Sequence, residues 1–491
     1  MGPSHEGCGG YSESVLEPLA DLDRTATERG DSPALCSPRR QFSFAQLRTA
    51  VLAVAARLDR AGVASGTLVG IDLPTALEWI VDLALLRLGA RSVSLRGVTN
   101  PGPTELDALI TDPGRRTAPA GLTIEADDLW LDSAIARGDD PPPIADFGGD
   151  DAIFRLILTS GTTGGVPKAA AYSLGALTYR SAEQHVHWTD GRPELTLIGL
   201  STTGGFHAAI ASLRLGVPYL AVDRIDAETM RFAAEQKIEV LCGSPSQVAR
   251  AIHAARDADI ELPSLTEVRL AGAGPTAGLL ALIAEHLRVP VRGVYGSTEG
   301  GGISQRWFDA ESDLSAAGVP LPGVELEVVD GSGMPVPPGI EGAVRCRTPG
   351  LVSGYFVDGH LVPFEDGWFT PGDRGTLMTD GELVLGGRDT EIFNLGGVKI
   401  DPATVDEPAL AFPGVIDAAA FAVERVPGLP EVGLAVVTQV GCDLRELDRQ
   451  LRARLPLGHP TAFWSVAEIP RTRLGKPMRA TLSEQFARLP R

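Results

Sequence analysis

The 491-residue chain is poor in cysteine. Cys8, Cys36, Cys242, Cys346 and Cys442 lie far apart, are odd in number and form no CxxC pair. That spacing argues against a disulfide framework and a cysteine-ligated zinc cluster, and it suits a reducing compartment. Cys242 and Cys346 stand in apolar runs and are expected as buried packing residues. No apolar stretch is long enough to span a bilayer. The opening residues MGPSHEGCGGYSES lack the basic and apolar regions of a secretory leader, so the expected location is cytoplasmic, with no membrane partner. Lys/Arg runs are missing too, and the formal net charge is −20. A chain this acidic is a poor candidate for wrapping nucleic acid or lying on an anionic surface. Tandem repeats are also absent.

What is present is an ordinary globular composition, 44% hydrophobic and 22% charged, in a chain too long for one core. At least two domains are expected. Ser43 can cap a helix running to Arg60, with Leu47, Val51, Ala55 and Leu58 on one face and Gly62 as its stop. An apolar strand over 68–73, a helix over 76–88 and a strand over 91–95 follow. This alternation predicts α/β units with parallel strands. Residues 101–150 read as loop-rich. Short strands are predicted at 154–158, and at 239–242, 268–271 and 291–295, the last three each running into Gly, Pro or Ser, where ligands of α/β sheets tend to sit. From about Val319 the pattern becomes β-rich. The expected fold is α/β: a large N-terminal domain of α/β subdomains plus a β-rich part over 1–388, then a small α+β C-terminal domain over 389–491.

The segment 158–168, LTSGTTGGVPK, gathers glycines, hydroxyls and one lysine. Glycines let successive backbone N–H groups face one concavity, which suits an anion, and the hydroxyls and Lys168 add donors and charge. A Walker A loop needs Gly-Lys-Ser/Thr entering a helix. Here Pro167 precedes Lys168 and favours an extended backbone. Taken alone, the run could also be a plain flexible loop.

Further segments follow in order: Gly272-Ala273-Gly274-Pro275, Tyr295-Gly296-Ser297-Thr298-Glu299, Gly367-Trp368-Phe369 with Gly372-Asp373, Gly387-Arg388, Gly396-Gly397 and Gly475-Lys476. With the opening loop, they resemble the adenylate-forming family of acyl- and aryl-CoA synthetases, nonribosomal adenylation domains and luciferases. The resemblance runs from about residue 40 to the end. It implies that a carboxylic acid attacks ATP to give an acyl-adenylate and pyrophosphate, after which a thiol takes the acyl group. CoA is the expected acceptor; a carrier-protein thiol, an amine or nitrite activation for diazotisation are the alternatives.

By that resemblance Thr159, Ser160, Gly161, Thr162, Thr163, Gly164 and Lys168 hold the terminal phosphates. Thr298 donates to the α-phosphate, and Glu299 helps hold Mg²⁺. Tyr295 packs on adenine, with Gly272, Ala273, Gly274 and Pro275 on its other side and Gly296 and Ser297 beside them. Asp373 accepts from the ribose hydroxyls, Arg388 contacts ribose or phosphate, and Gly397 leaves room for the pantetheine arm. Lys476 bridges the carboxylate and the α-phosphate in the first step, and the C-terminal domain turns about a hinge before the second. His207 matches a position bordering the carboxylate; a core histidine is the other reading.

The sequence departs from the family at Ala169, at Pro371 in Gly-Trp-Phe-Thr-Pro-Gly-Asp, and at the hinge position Thr390, which bears on the second step. Residues near 201–207, 243–247, 271–273 and 300–304 are expected to line the acid pocket. The run Ser201-Thr202-Thr203-Gly204-Gly205-Phe206-His207 holds no acid. A buried α-ammonium would lack a partner there, which points to an aryl or small acyl acid. The oligomeric state stays open.

Overall fold

The computed structural model describes residues 17–96, 105–115, 118–159, 168–184, 190–275, 277–309, 311–357, 359–388, 393–395, 398–400, 402–426, 429–439, 441–454, 462–471 and 476–487. Ser160, Gly161, Thr162, Thr163, Gly164, Thr390 and Gly397 lie outside them, so the expectations placed on those positions have no structural counterpart here.

Local chemistry sets the early elements. Ser43 caps the helix Phe44–Arg60 through the Gln46 N–H, and the Gln46 side chain returns the bond to the Ser43 N–H, a reciprocal arrangement that satisfies orphan donors of the first turn. The next helix, Thr75–Leu88, ends on Gly89 in the left-handed conformation. It is buried nearly all round, as a helix packed within a large core must be.

Two large sheets carry the fold. In the eight-stranded sheet the order is His360–Pro363, Gly354–Val357, Lys168–Ser173, Ile153–Thr159, Arg91–Ser94, Leu68–Asp72, Leu106–Thr111, Ala120–Glu125. In the ten-stranded sheet it is Glu325–Val329, Glu341–Arg347, Asp373–Leu377, Leu383–Arg388, Ala316–Pro320, Gly301–Phe308, Val291–Ser297, Glu267–Ala271, Val240–Gly243, Glu194–Thr196. Its last four strands are parallel, as the short apolar runs predict. The antiparallel run begins at Gly301, earlier than the sequence reading put it.

The loop-rich reading of 101–150 needs correction. Two strands, Leu106–Thr111 and Ala120–Glu125, and the helix Asp128–Arg137 form there. Ala120–Glu125 lies at the sheet edge, where alternate side chains remain exposed, so its apolar content is too low to mark it. The helix begins on an Asp127 cap that accepts from the Trp130 N–H.

Towards the C-terminus, Val415–Val426, Leu429–Thr438 and Ala462–Ser465 form a three-stranded sheet. The helices Ala403–Leu410 and Arg479–Ala487 contact the first of these strands. Residues from Ile400 to Phe486 build a hydrophobic core of their own, and neither of the two largest clusters elsewhere draws on a residue beyond Phe364. Cys242 and Cys346 are buried, as expected. Among the described residues no helix is long and apolar enough to cross a membrane.

Candidate active site

The parallel strands of the ten-stranded sheet deliver their C-terminal ends to one cavity of about 1730 Å³, where ligands of open α/β sheets bind. Its wall includes Gly272, Ala273, Gly274 and Pro275 after the strand Glu267–Ala271, and Tyr295 and Gly296 on the next strand. Gly272 takes a φ of +86°, which turns the chain out of its strand without the penalty a Cβ would carry. A Cβ on Gly296 would run into the Gly301 carbonyl across the hairpin, so that position must be glycine.

Asp373 lines the same cavity. It starts another strand of the same sheet and is 5% exposed. The Tyr295 hydroxyl donates to Asp373 Oδ2 at 2.6 Å, so the residues expected at adenine and at ribose are tied together. Arg388 is the cross-strand partner of Asp373, which brings its backbone to the same end of the sheet.

The opposite wall comes from the C-terminal unit. Lys476 lines the cavity together with Arg471, Arg479, Asp406 and Asp417. Two ion pairs flank the lysine. Arg471 Nε donates to Asp417 Oδ2 at 2.9 Å, and Arg479 donates to Asp406 Oδ2 at 2.6 Å. Asp406 Oδ1 also accepts the Ala420 N–H at 2.5 Å. Burial pushes the Asp406 carboxyl above its ordinary value, opposed by the nearby Arg479 charge.

Ser297, Thr298, Glu299, Lys168 and His207 do not line this cavity. Thr298 and Glu299 form the turn between Val291–Ser297 and Gly301–Phe308, closed by the Gly300 N–H donating to Ser297 Oγ at 2.9 Å. The turn is held from behind by Arg180, which is 1% exposed. Its Nη2 donates to the Glu299 carbonyl at 2.5 Å and its Nε to the Gly350 carbonyl at 2.6 Å. Burial lowers the pKa of this guanidinium from its ordinary value, and the neighbouring Tyr172 hydroxyl and Glu299 carboxylate oppose that.

Glu299 is 7% exposed, and its Oε1 accepts the Tyr355 hydroxyl at 2.7 Å. Lys168 begins the strand paired with Ile153–Thr159, and Thr159 is its direct cross-strand partner. The two ends of the Thr/Gly loop are therefore held side by side.

Burial, then the Glu299 charge, raise the Tyr355 pKa, so the phenol keeps its proton. His207, by contrast, is 1% exposed and packs among Phe206 and Tyr172, with Nε2 against the Tyr172 hydroxyl. The structure thus brings Tyr295, Asp373, the 272–275 turn and Lys476 to one cavity, with the Thr298–Glu299 turn adjoining Tyr295 in the chain. It sets His207 in the core.

An arm of the cavity reaches Leu197, Gly199, Ser201 and Gln247, while residues 300–304 stay off the wall. Several carboxylates the sequence reading passed over, Glu78 and Asp223 among them, do line it. Asp223 is engaged by Arg96 at 3.1 Å and by Thr75 Oγ1 at 2.8 Å. Arg180, Tyr355, Asp406 and Asp417 were missed as well, because each acts through a residue distant in sequence.

A magnesium ion fits the donor set. Among the described residues no cluster of three or more His, Cys, Asp or Glu could hold a metal, while Glu299 offers a hard, buried carboxylate. Magnesium bound to a nucleotide needs only one or two carboxylates beside phosphate oxygens and water.

A family model described as AMP-binding enzyme matches residues 22–356. A naringenin synthase from Pestalotiopsis fici is 28% identical over 93% of this chain, which spans only 18% of that protein's length. The indoleacetate–CoA ligase of Aromatoleum aromaticum is 30% identical over 95% of this chain and 98% of its own. The fatty acid–[acyl-carrier-protein] ligase MmaC of Mycobacterium marinum is 27% identical over 96% and 97%. Among solved structures, the anthranilate CoA ligase AuaEII in complex with anthranoyl-AMP matches with a TM-score of 0.82 at 20% identity, covering 95% of this chain and 96% of that one. At that identity the likeness speaks for the fold.

Proposed function

The chain belongs to the AMP-binding enzyme family of AMP-forming acid–thiol ligases, and from that premise we propose that it activates an aryl or small acyl carboxylic acid with ATP and passes the acyl group to CoA. In the first step a carboxylate oxygen attacks the α-phosphorus, the bond to the β-phosphate breaks, and pyrophosphate leaves. In the second a thiol attacks the acyl carbon and AMP leaves.

The observation that carries this reading is the shared cavity. One wall presents a glycine turn, an aromatic ring and a buried carboxylate, and the other presents Lys476. Tyr295 and the 272–275 turn would sandwich adenine, and Asp373, oriented by the Tyr295 hydroxyl, would accept from ribose. Lys168 and the loop from Thr159 would hold the outer phosphates, and Thr298 would donate to the inner one. Lys476 would offset the repulsion between carboxylate and phosphate as they meet, the kind of preorganised charge that contributes most to such steps. Glu299 would hold magnesium, which when bound neutralises phosphate charge.

The turn of the C-terminal unit from residue 389 onward, and the approach of Gly397 to the acyl-adenylate, are part of the same proposal, as is a cytoplasmic setting. The full-length match to a carrier-protein ligase favours a second acceptor, a carrier-protein thiol. A pyrophosphate-release screen over aryl and short-chain acids, run with CoA, with a phosphopantetheinylated carrier protein and with neither, tests both. Acid-dependent pyrophosphate release with thioester formed only on CoA is expected. Release without dependence on any acid would overturn the reading.

A further inference from the structure

The strand Gly354–Val357 lies beside Lys168–Ser173, with Tyr355 opposite Ala170. Lys168 and Ala170 share a face, so Tyr355 is the diagonal neighbour of Lys168, a spacing long side chains bridge. The Lys168 ammonium indeed sits over the Tyr355 ring, 4.9 Å from its centre. The same side chain reaches the other way: its hydroxyl donates to Glu299 Oε1 at 2.7 Å. Edge-on contact with Phe364, at 5.3 Å between ring centres, fixes the ring in place. Among the described residues nothing donates to Glu299 Oε2.

We propose that Tyr355 is a positioning residue for nucleotide binding, one side chain that sets both the magnesium carboxylate and the phosphate-loop lysine. Its hydroxyl occupies Oε1 and leaves Oε2 for the metal, and its ring face carries the ammonium of Lys168. A carboxylate held by a neutral donor keeps one orientation, and partners of metal-binding carboxylates commonly control affinity in this way. Because the two contacts use different parts of the side chain, they separate by substitution. Tyr355→Phe removes the hydroxyl and keeps the ring; Tyr355→Leu removes both.

The inference rests on Glu299 being the magnesium ligand, so the experiment includes Glu299→Gln. ATP binding to the full chain is measured by calorimetry in magnesium and in EDTA, with thermal unfolding to check folding. For Tyr355→Phe the affinity gained on adding magnesium should shrink about tenfold, the usual scale for such a partner, with affinity in EDTA unchanged. For Tyr355→Leu the affinity in EDTA should fall as well. If Tyr355→Phe keeps the full magnesium effect while Glu299→Gln loses it, the role given to Tyr355 is wrong and the carboxylate reading stands. If Glu299→Gln keeps it too, the metal assignment itself fails. Loss of EDTA-state affinity in Tyr355→Phe would show a general packing defect and would also overturn the proposal.

Discussion

Replacing Asp406 by alanine tests whether the lysine-bearing end of the chain is held by buried charge. The carboxylate is buried, at 8% exposure, and receives two donors, Arg479 at 2.6 Å and the Ala420 N–H at 2.5 Å. Breaking a buried ion pair from one side costs about 3–5 kcal/mol, because the remaining charge stays desolvated. The Arg479 side chain keeps 16% exposure and also donates to the Ala420 carbonyl, so it regains some solvation. That places the loss at about 3 kcal/mol, at the low end of the range.

The helix Arg479–Ala487 would loosen from the strand Val415–Val426. Amide exchange at Ala420 and along that helix, followed by mass spectrometry, should speed up by roughly a hundredfold, since about 1.4 kcal/mol is tenfold in an equilibrium. Trp464, stacked on Phe486 at 4.7 Å between ring centres, reports the same opening by fluorescence. Lys476 lies between the Arg471 and Arg479 anchors, so adenylation should slow while ATP affinity, set by the other wall, stays within about twofold, a change of only a few tenths of a kcal/mol. Exchange altered by less than threefold would mean that the pair contributes nothing and that the lysine is placed by other contacts.

Lys476→Ala should lower acid-dependent pyrophosphate exchange by about a hundredfold or more, the scale of losing one charge-stabilising contact, with ATP binding by calorimetry little changed. Tyr295→Phe removes the donor to Asp373, a bond to a charged group of about 1.5–3 kcal/mol; ATP affinity should drop by about tenfold, and discrimination against 2′-deoxy-ATP should narrow. Burial pushes the Cys36 thiol up to about 11 and the Cys346 thiol up to about 12, so at pH 8 neither forms a thiolate. Iodoacetamide should label the part-exposed Cys442 in the folded protein and reach Cys36 and Cys346 only after denaturation, read by peptide mass mapping.

Much of the fold was legible because its signals are local. The Ser43 cap, the stripe through Leu47, Val51, Ala55 and Leu58, and the stop at Gly62 each fix structure through neighbours a few residues away. The edge strand Ala120–Glu125 was not legible, because a half-exposed edge carries little apolar pattern. Within the site, glycine turns, Tyr295, Asp373 and Lys476 were readable from motif order, since each occupies a turn or strand end whose chemistry is written beside it.

The sequence by itself determined the class of fold, the strand ends that open on the cavity and the residue types offered there, because backbone turns and hydrophobic periodicity depend on short separations. Only the tertiary structure decided who holds those residues. Tyr355 and Glu299 are 56 residues apart, Asp406 and Arg479 are 73 apart, and Arg180 and Glu299 are 119 apart. Nothing local pairs them; strand order and the packing of helices against the sheets do. The same packing buries His207 against Phe206 and Tyr172, a contact that no local pattern sets.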